Sequence, residues 1–276
     1  MQDIWQAPAK LNLFLQLTGK RPDGYHTLQT SFVFLDFFDT LKFEVNPTGE
    51  VSRCDVIGGE SLPKEDLCVS AAKLLQSNCG VSQGVSIKLE KRIAMGAGLG
   101  GGSSDAATCL IALNQLWDCA LNRTQLAELG LKLGADVPVF IFGHAAWAEG
   151  LGEQLTPISP EKKWVCVLIP QIHVSTAHIF SNSPLTATPP ITKIRGSFSP
   201  GLENALEAVT CALYPQVAEA LNWLGKFGEA RMSGSGASVF LACDTREQAA
   251  QVFEQRPINL DGFVAQSLNE HPHHSV

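Results

Sequence analysis

Gly96-Ala97-Gly98-Leu99-Gly100-Gly101-Gly102-Ser103-Ser104-Asp105 is the stretch on which the reading of the chain turns. Five glycines in seven positions remove nearly every Cβ, so the backbone can take positive φ and bring its N–H groups close to a ligand. Ahead of the run, Val85, Ile87 and Leu89 alternate with Ser86, Lys88 and Glu90, the period of a half-buried strand. Behind it, Ala106, Cys109/Leu110, Leu113 and Leu116/Trp117 recur at helical spacing, predicting a helix of about 15 residues from Ser103. The unpaired N–H groups and positive dipole end of that helix face back toward the glycines, which makes the segment a phosphate cradle. Ser103 or Ser104 fits the helix N-cap, and either hydroxyl could instead face a phosphate oxygen or a magnesium ion. A merely flexible surface loop at this place would cost entropy and return nothing.

No lysine follows the glycines, so the Walker A pattern is excluded. Gly96, Gly98 and Gly101 do satisfy Gly-x-Gly-x-x-Gly. The preceding strand is charged on one face (Lys88, Glu90, Lys91), however, and Asp118 falls at a helix end instead of after a second strand, which argues against a dinucleotide-binding unit.

Outward from the loop, Leu11, Leu13, Leu15 and Leu17 alternate with Asn12, Phe14 and Gln16 in a first strand, and residues 32–43 form a second, aromatic-rich one. Residues 67–75 read as a helix, 164–169 and 239–243 as strands, 203–213, 216–224 and 247–254 as helices, with a last strand near Phe263. Residues 181–200 are rich in Pro, Ser and Thr without periodicity, and Gly150, Gly152, Thr156, Pro157 and Pro160 mark a change of domain. Amphipathic strands mixed with helices predict an α+β fold, since a doubly wound parallel sheet would have strands apolar throughout.

The composition agrees. At roughly 150 residues per domain, 276 residues allow one large or two modest domains. Apolar residues are 45% and charged residues 17%, which excludes a disordered chain. No apolar run approaches the roughly 18 residues of a membrane span, and residues 1–10 do not read as a secretory signal, so a soluble cytoplasmic protein is expected. Cysteines 54, 68, 79, 109, 119, 166, 211 and 243 lack any Cys-x-x-Cys spacing and read as reduced thiols. A net charge of −7 argues against nucleic-acid coating but not against a local anion pocket.

Two charges stand out. Lys10 follows Pro8-Ala9 and enters an apolar strand, while Asp136 lies between Gly134-Ala135 and Val137-Pro138-Val139-Phe140. A charge in an apolar run is costly unless paired; taken singly, each could also be a surface or N-cap residue. Asp23-Gly24 is a turn signal from which Tyr25 and His26 can project into a cleft, where an aromatic face can stack on a base and a histidine can bond a pyrimidine edge. His271, His273 and His274 read as a frayed tail in preference to a metal site.

Pro8-Ala9-Lys10-Leu11-Asn12-Leu13, the Gly96–Asp105 loop, Leu133-Gly134-Ala135-Asp136-Val137-Pro138-Val139-Phe140 and Ser233-Gly234-Ser235-Gly236-Ala237 together resemble, in order and over almost the whole chain, the motifs of the GHMP small-molecule kinases. The resemblance implies a two-domain GHMP kinase fold with a cleft between the domains, an ATP-binding domain over residues 1–155 and a second over 156–276. It implies ATP and Mg2+ as cofactors, and Lys10 and Asp136 as the catalytic pair at the acceptor hydroxyl. ATP would be met by Gly96, Gly98, Leu99, Gly100, Gly101, Gly102, Ser103, Ser104, Lys91 and Asp66. Tyr25-His26 and the triple glycine imply a cytidine diphosphate-linked methylerythritol as acceptor, phosphorylated on its 2-hydroxyl on a route to isoprenoid precursors. Asn12, Tyr25, His26, Thr176, Phe180, Gly234, Ser235 and Gly236 would contact it. No nucleic acid or membrane partner is implied. Three positions depart from the family pattern: Ala94 where proline is common, Asp66 where asparagine is usual, and Ser235 where threonine is frequent. Within the same fold, homoserine or mevalonate would be the alternative acceptors; a nicotinamide-dependent oxidoreductase and a nucleotide-binding module without turnover are the alternatives outside it.

Overall fold

The structure, a computed structural model, describes residues 4–22, 24–57, 62, 65–183, 198, 201 and 203–275. In chain order the elements are β1 (Trp5–Lys20), β2 (His26–Asn46), β3 (Val51–Ile57), α1 (Leu67–Cys79), β4 (Gly84–Glu90), α2 (Gly101–Leu116), α3 (Arg123–Leu131), α4 (Val137–Phe142), β5 (Ala146–Glu149) and β6 (Gln154–Pro157). They continue as β7 (Trp164–Pro170), α5 (Thr176–Asn182), α6 (Glu207–Leu213), α7 (Pro215–Leu224), β8 (Ala230–Met232), β9 (Val239–Cys243), α8 (Arg246–Glu254) and β10 (Leu260–Leu268). The fold is α+β, as the amphipathic strands predict.

One sheet runs β3-β4-β2-β10-β7-β9-β8, with β1 paired to β2, and β5 to β2 and β6. Among the strand pairs of the described residues only β3 and β4 are parallel. The long β2 lies between β1 and β4 along Thr40 and Leu41, and its Phe34 and Leu35 pair with Leu268 and Ser267 of β10. Through β10 the first half of the sheet passes into the second, where β10 pairs with β7 from Leu260↔Pro170 to Gln266↔Trp164. Gly150 and Gly152, both at positive φ, make the turn of the β5–β6 hairpin.

β1 departs from the half-buried strand that its alternation predicts, being buried on both faces from Ala7 to Leu15. Its pairing with β2 shifts register at Pro8/Lys10, Asn12/Leu15 and Leu17/Gly19. Such irregularities re-aim side chains, and here Lys10 and Asn12 are the polar residues they serve. α2 begins at Gly101 with Gly100 as its N-cap, at φ +72° and with no side-chain cap bond. Ser103 and Ser104 therefore sit inside the first turn and not at the cap, because the left-handed glycine has already turned the chain into the helix.

Among the described residues three large apolar cores hold the molecule, beside a small Phe14–Trp147 cluster. Helices α1, α2 and α4 cover β2 and β4 through residues such as Leu75, Leu110, Phe140 and Leu89. Helices α5 to α8 cover the second half of the sheet, and Leu15 and Leu17 of β1 join them. A third core places Ala97 and Leu99 of the glycine loop among Leu11, Leu13, Val165, Val167 and Phe240. Burying a leucine side chain contributes about 1.5–3 kcal/mol, so Leu99, 1% exposed, anchors the loop as much as its glycines shape it.

The histidine tail is not frayed. His271 and His273 are each 2% exposed. Gln6 N donates to His273 Nε2 at 2.8 Å, the His273 ring lies 4.7 Å from that of Trp5, and Arg123 donates to the carbonyls of His273 and His274. The partners that bury this tail come from β1 and α3, far away in sequence. The Pro/Ser/Thr-rich stretch falls, beyond α5 and Ser183, largely outside the described residues, as does Asp23 of the turn before Tyr25. The eight cysteines are free thiols. No helix among the described residues is long and apolar enough to cross a membrane.

Candidate active site

Between β4 and α2 the chain is pinned by Asp39 of β2, whose Oδ1 accepts from Arg92 N and from Ile93 N at 2.9 Å. Gly96, Gly98 and Gly100 follow at φ +65°, +74° and +72°. At Gly98 a Cβ would strike the Ser233 carbonyl oxygen and lie 2.8 Å from that of Gly236; at Gly100 it would lie 3.0 Å from both Lys10 Cγ and Phe140 Cζ. Conformation and space thus both demand glycine. The loop's carbonyls turn inward: Leu99 O accepts from Lys10 N at 2.9 Å, Gly98 O from Ser233 Oγ at 3.1 Å, and Ala97 O from Ser238 N at 3.0 Å. The first-turn N–H groups of α2, which no intrahelical acceptor can satisfy, belong to Gly101, Gly102 and Ser103, which line the cleft.

Asp136 immediately precedes α4 and makes no cap bond with its own helix. Its Oδ2 instead stands 3.2 Å from Lys10 Nζ, with the lysine side chain 3% and the aspartate 37% exposed. The amine is thus buried and the carboxylate reaches the cleft. Lys10 Nζ also donates to Asn12 Oδ1, Asn12 Nδ2 to Thr30 Oγ1 at 2.9 Å, and Thr30 Oγ1 to Phe14 O, a chain that fixes the amine in place. The Phe32 ring lies 5.4 Å below it.

The second glycine loop closes this corner. Asn204 Nδ2 donates to Met232 O at 3.0 Å and Gly234 O at 2.7 Å, and Thr210 Oγ1 to Ser235 O at 3.2 Å. Gly234, at φ +58°, could not carry a Cβ without bringing it 3.2 Å from Asn12 Oδ1. Ser235 Oγ bonds Thr176 Oγ1 at 2.8 Å. Gly236 backs onto Met232 and Thr210.

The two loops, Lys10, Asn12, Asp136, Thr176 and Phe180 enclose a cavity of about 420 Å³. Beside it lies a smaller one of about 290 Å³, lined by Leu62, Asp66, Cys68, Lys91 and Asp105, and the two share Leu67, Met95 and Gly102. In the smaller cavity Asp66 caps α1, accepting from Val69 N at 3.0 Å, and is ion-paired with Arg53. Lys91 Nζ is held by Asp39 and, at 2.7 Å, by Asp105. Burial pushes the Asp105 carboxyl up to about 8, against the pull of Lys91 and with the help of Asp39. Asp105 Oδ1 has no hydrogen-bond partner.

On the far side His26 is buried, its ring 5.6 Å from that of Phe180, and its Nε2 has no partner. Burial, and then Lys20, hold its pKa below the usual histidine value. Tyr25 lines neither cavity; its side chain is 65% exposed. The structure thus brings Lys10, Asn12, Asp136, Gly96, Gly98, Gly100 to Ser103, Gly234, Ser235, Thr176 and Phe180 to one cavity, and Asp66 and Lys91 to its neighbour; Leu99 and Ser104 are buried behind the loop, and Gly236 and His26 line neither cavity. Sequence reasoning gave no role to Thr30, Asp39, Asp105, Asn204 or Ser233. Asp39, a charge directly after Phe37-Phe38, could have been found by the rule that a charge in an apolar run needs a partner. Ser233 and Asn204 carry no such signal, since they act on distant backbone groups. Among the described residues no group of three or more His, Cys, Asp or Glu could hold a metal ion.

Comparison with known proteins places this geometry. A family profile for the GHMP kinases N terminal domain matches residues 66–144, and one for GHMP kinases C terminal matches 192–261. The 4-diphosphocytidyl-2-C-methyl-D-erythritol kinase of Shewanella denitrificans is 50% identical over 97% of this chain and 94% of its own length. That of Thiobacillus denitrificans is 50% identical over 99% and 98%. A crystal structure of 4-(cytidine 5'-diphospho)-2C-methyl-D-erythritol kinase superposes with a TM-score of 0.81 at 32% identity, covering 96% of this chain and 98% of that one. Homoserine kinase from Cytophaga hutchinsonii, at 18% identity and a TM-score of 0.71 over 98% and 96% of the two chains, shares the fold.

Proposed function

The chain belongs to the GHMP kinases, among the 4-diphosphocytidyl-2-C-methyl-D-erythritol kinases, and on that footing we propose that it phosphorylates the 2-hydroxyl of 4-diphosphocytidyl-2-C-methyl-D-erythritol, on the route to isoprenoid precursors. It is a small-molecule kinase, and its phosphoryl donor is ATP. The observation that carries the reading is the Lys10–Asp136 pair set against the glycine cradle, with Lys10 Cγ 3.0 Å from where a Gly100 Cβ would stand.

Phosphoryl transfer asks the protein to align an alcohol with the γ-phosphate, spread the charge on its oxygens and deal with the hydroxyl proton. In the proposed arrangement the polyphosphate lies along residues 96–104 and the base in the smaller cavity beside Asp66 and Lys91. Asp136 accepts the acceptor's hydroxyl proton as the new O–P bond forms and the bond to the ADP oxygen breaks. Lys10 steadies the developing alkoxide. The Ser103 hydroxyl, facing the Gly134 turn that leads to Asp136, is the side-chain oxygen that would meet a magnesium ion arriving with the nucleotide. That donor fits an ion borne by the phosphates, where it supplies charge neutralisation, and not one caged by protein.

For the acceptor, Asn12, Thr176 and the backbone of Gly234, Ser235 and Gly236 surround the methylerythritol part. His26, whose buried Nε2 has no partner, would turn that nitrogen to the cytosine edge, with Phe180 packed beside it and Tyr25 covering the base from the solvent side. A cytoplasmic setting suits both substrates, and a net charge of −7 speaks against a nucleic-acid partner. The test is ADP release, followed with 4-diphosphocytidyl-2-C-methyl-D-erythritol, homoserine and mevalonate in parallel. Turnover confined to the cytidyl substrate is expected; turnover with either of the others and none with it would overturn the assignment.

A further inference from the structure

Residues 173–180 touch three walls of the cleft at once. At the near end, the ring of His173 lies where a side chain on Gly96 would begin: a Cβ there would meet Nδ1 and stand 2.6 Å from Cε1 and 3.2 Å from Cγ. In the middle, Thr176 Oγ1 bonds Ser235 Oγ at 2.8 Å. At the far end, the Phe180 ring stands 5.6 Å from that of His26. The segment is not free to swing, because Val174 and Ile179 are buried in the second core and Ser175 caps α5, its Oγ accepting from His178 N. His173 itself is exposed, so burial does not account for its position. What it touches is the first glycine of the phosphate loop.

A short, well-anchored segment that contacts the phosphate loop at one end and the acceptor pocket at the other can make the two sites sense each other. A ligand that shifts Thr176 or Phe180 alters the pressure of His173 on Gly96, and the coupling must act equally in both directions. We propose that His173 is a positioning residue which braces the Gly96 turn and couples filling of the acceptor pocket to the grip on ATP. The proposal rests on the reading of Thr176 and Phe180 as acceptor contacts, while its nucleotide half rests on the phosphate loop alone.

The test uses the full chain as wild type, His173→Ala and His173→Gln, with β,γ-methylene-ATP and magnesium as the unreactive nucleotide. Amide hydrogen exchange is followed in a peptide spanning residues 171–183. Nucleotide alone is expected to slow exchange there in the wild type and not in His173→Ala, although the alanine variant binds the analogue within about threefold, as befits an exposed substitution. His173→Gln, which keeps a planar side chain of similar reach, retains part of the protection. With 4-diphosphocytidyl-2-C-methyl-D-erythritol added, the analogue binds at least about fivefold tighter to the wild type, and the ratio falls toward one in His173→Ala. A loss of stability alone would raise exchange with and without nucleotide and leave their difference unchanged. The same nucleotide-dependent protection in wild type and His173→Ala, or none in the wild type, overturns the proposal. If the cytidyl compound does not bind, the substrate assignment fails and the nucleotide-only exchange still decides the role of His173.

Discussion

Lys10 and Asp136 meet at 3.2 Å across the cleft, the amine sealed in protein and the carboxylate open to the cavity. Such a division assigns the work. The aspartate can reach a substrate proton, and the lysine, already tied to Asn12, can only hold charge in place.

Asp136→Ala should therefore lower kcat by about 10²–10⁴-fold, the span usual for loss of a positioned acid–base group. Affinity for an unreactive ATP analogue should stay within a few-fold, because Asp136 lies outside the glycine loop. Calorimetric titration beside steady-state rates checks both halves, and undiminished turnover would remove Asp136 from the chemistry.

His26→Ala should raise the Michaelis constant for the cytidyl substrate by the equivalent of about 1–3 kcal/mol, the cost of leaving a buried polar partner unpaired. The constant for ATP should not move, since His26 stands on the Phe180 side of the cleft. Equal changes in both constants would mean that His26 supports the fold and not the substrate.

The tail histidines predict an acid limit to stability. Burial, and then Arg123, hold His273 down at about 4, and its Nε2 accepts a backbone N–H, which requires the neutral ring. Burial, and then His273, hold His271 well below the ordinary histidine value as well. A histidine kept neutral in the fold binds more protons once unfolded, so its contribution is complete above the ordinary value of about 6.5 and is lost as pH falls toward about 4. Denaturant midpoints measured from pH 7 to pH 4 should fall through this window, and His273→Phe should flatten the fall.

Asp105 predicts the opposite slope. Its carboxyl is raised to about 8, chiefly by burial, so the unfolded chain holds fewer protons than the fold between about 4 and 8, and stability declines as pH rises across that range. Two acids share the single ammonium of Lys91. Asp105→Asn, which keeps the shape and removes the surplus charge, should raise the melting temperature more at pH 8 than at pH 5. A gain independent of pH would show that the carboxyl is ionised throughout.

The glycine loop, as a tight turn between a strand and a helix, is legible in the sequence, and both φ and close contact at Gly98 and Gly100 require those residues. The Lys10–Asp136 contact was legible only through the set of motifs; neither charge alone names its partner. Asp39 and Ser233 escaped because each serves backbone groups that the fold alone brings near. The burial of the tail is not legible, because a run of histidines looks polar and nothing local announces that Trp5 and Gln6 will cover it. The cap of α2 lies at Gly100, three or four residues ahead of the serines that the sequence pattern points to, because a left-handed glycine turns the chain into the helix.

β1 serves all three cores, giving Trp5 and Ala7 to the first, Leu11 and Leu13 to the third, and Leu15 and Leu17 to the second, with Lys10 among them. A cut between β6 and β7 would accordingly not yield two independent halves. The leading fragment would carry an apolar tongue with nothing to cover it, and the trailing one a slot shaped for that tongue. Mixed together, the fragments would have reason to reunite by strand insertion, and a phosphoryl-transfer signal would report the reunion.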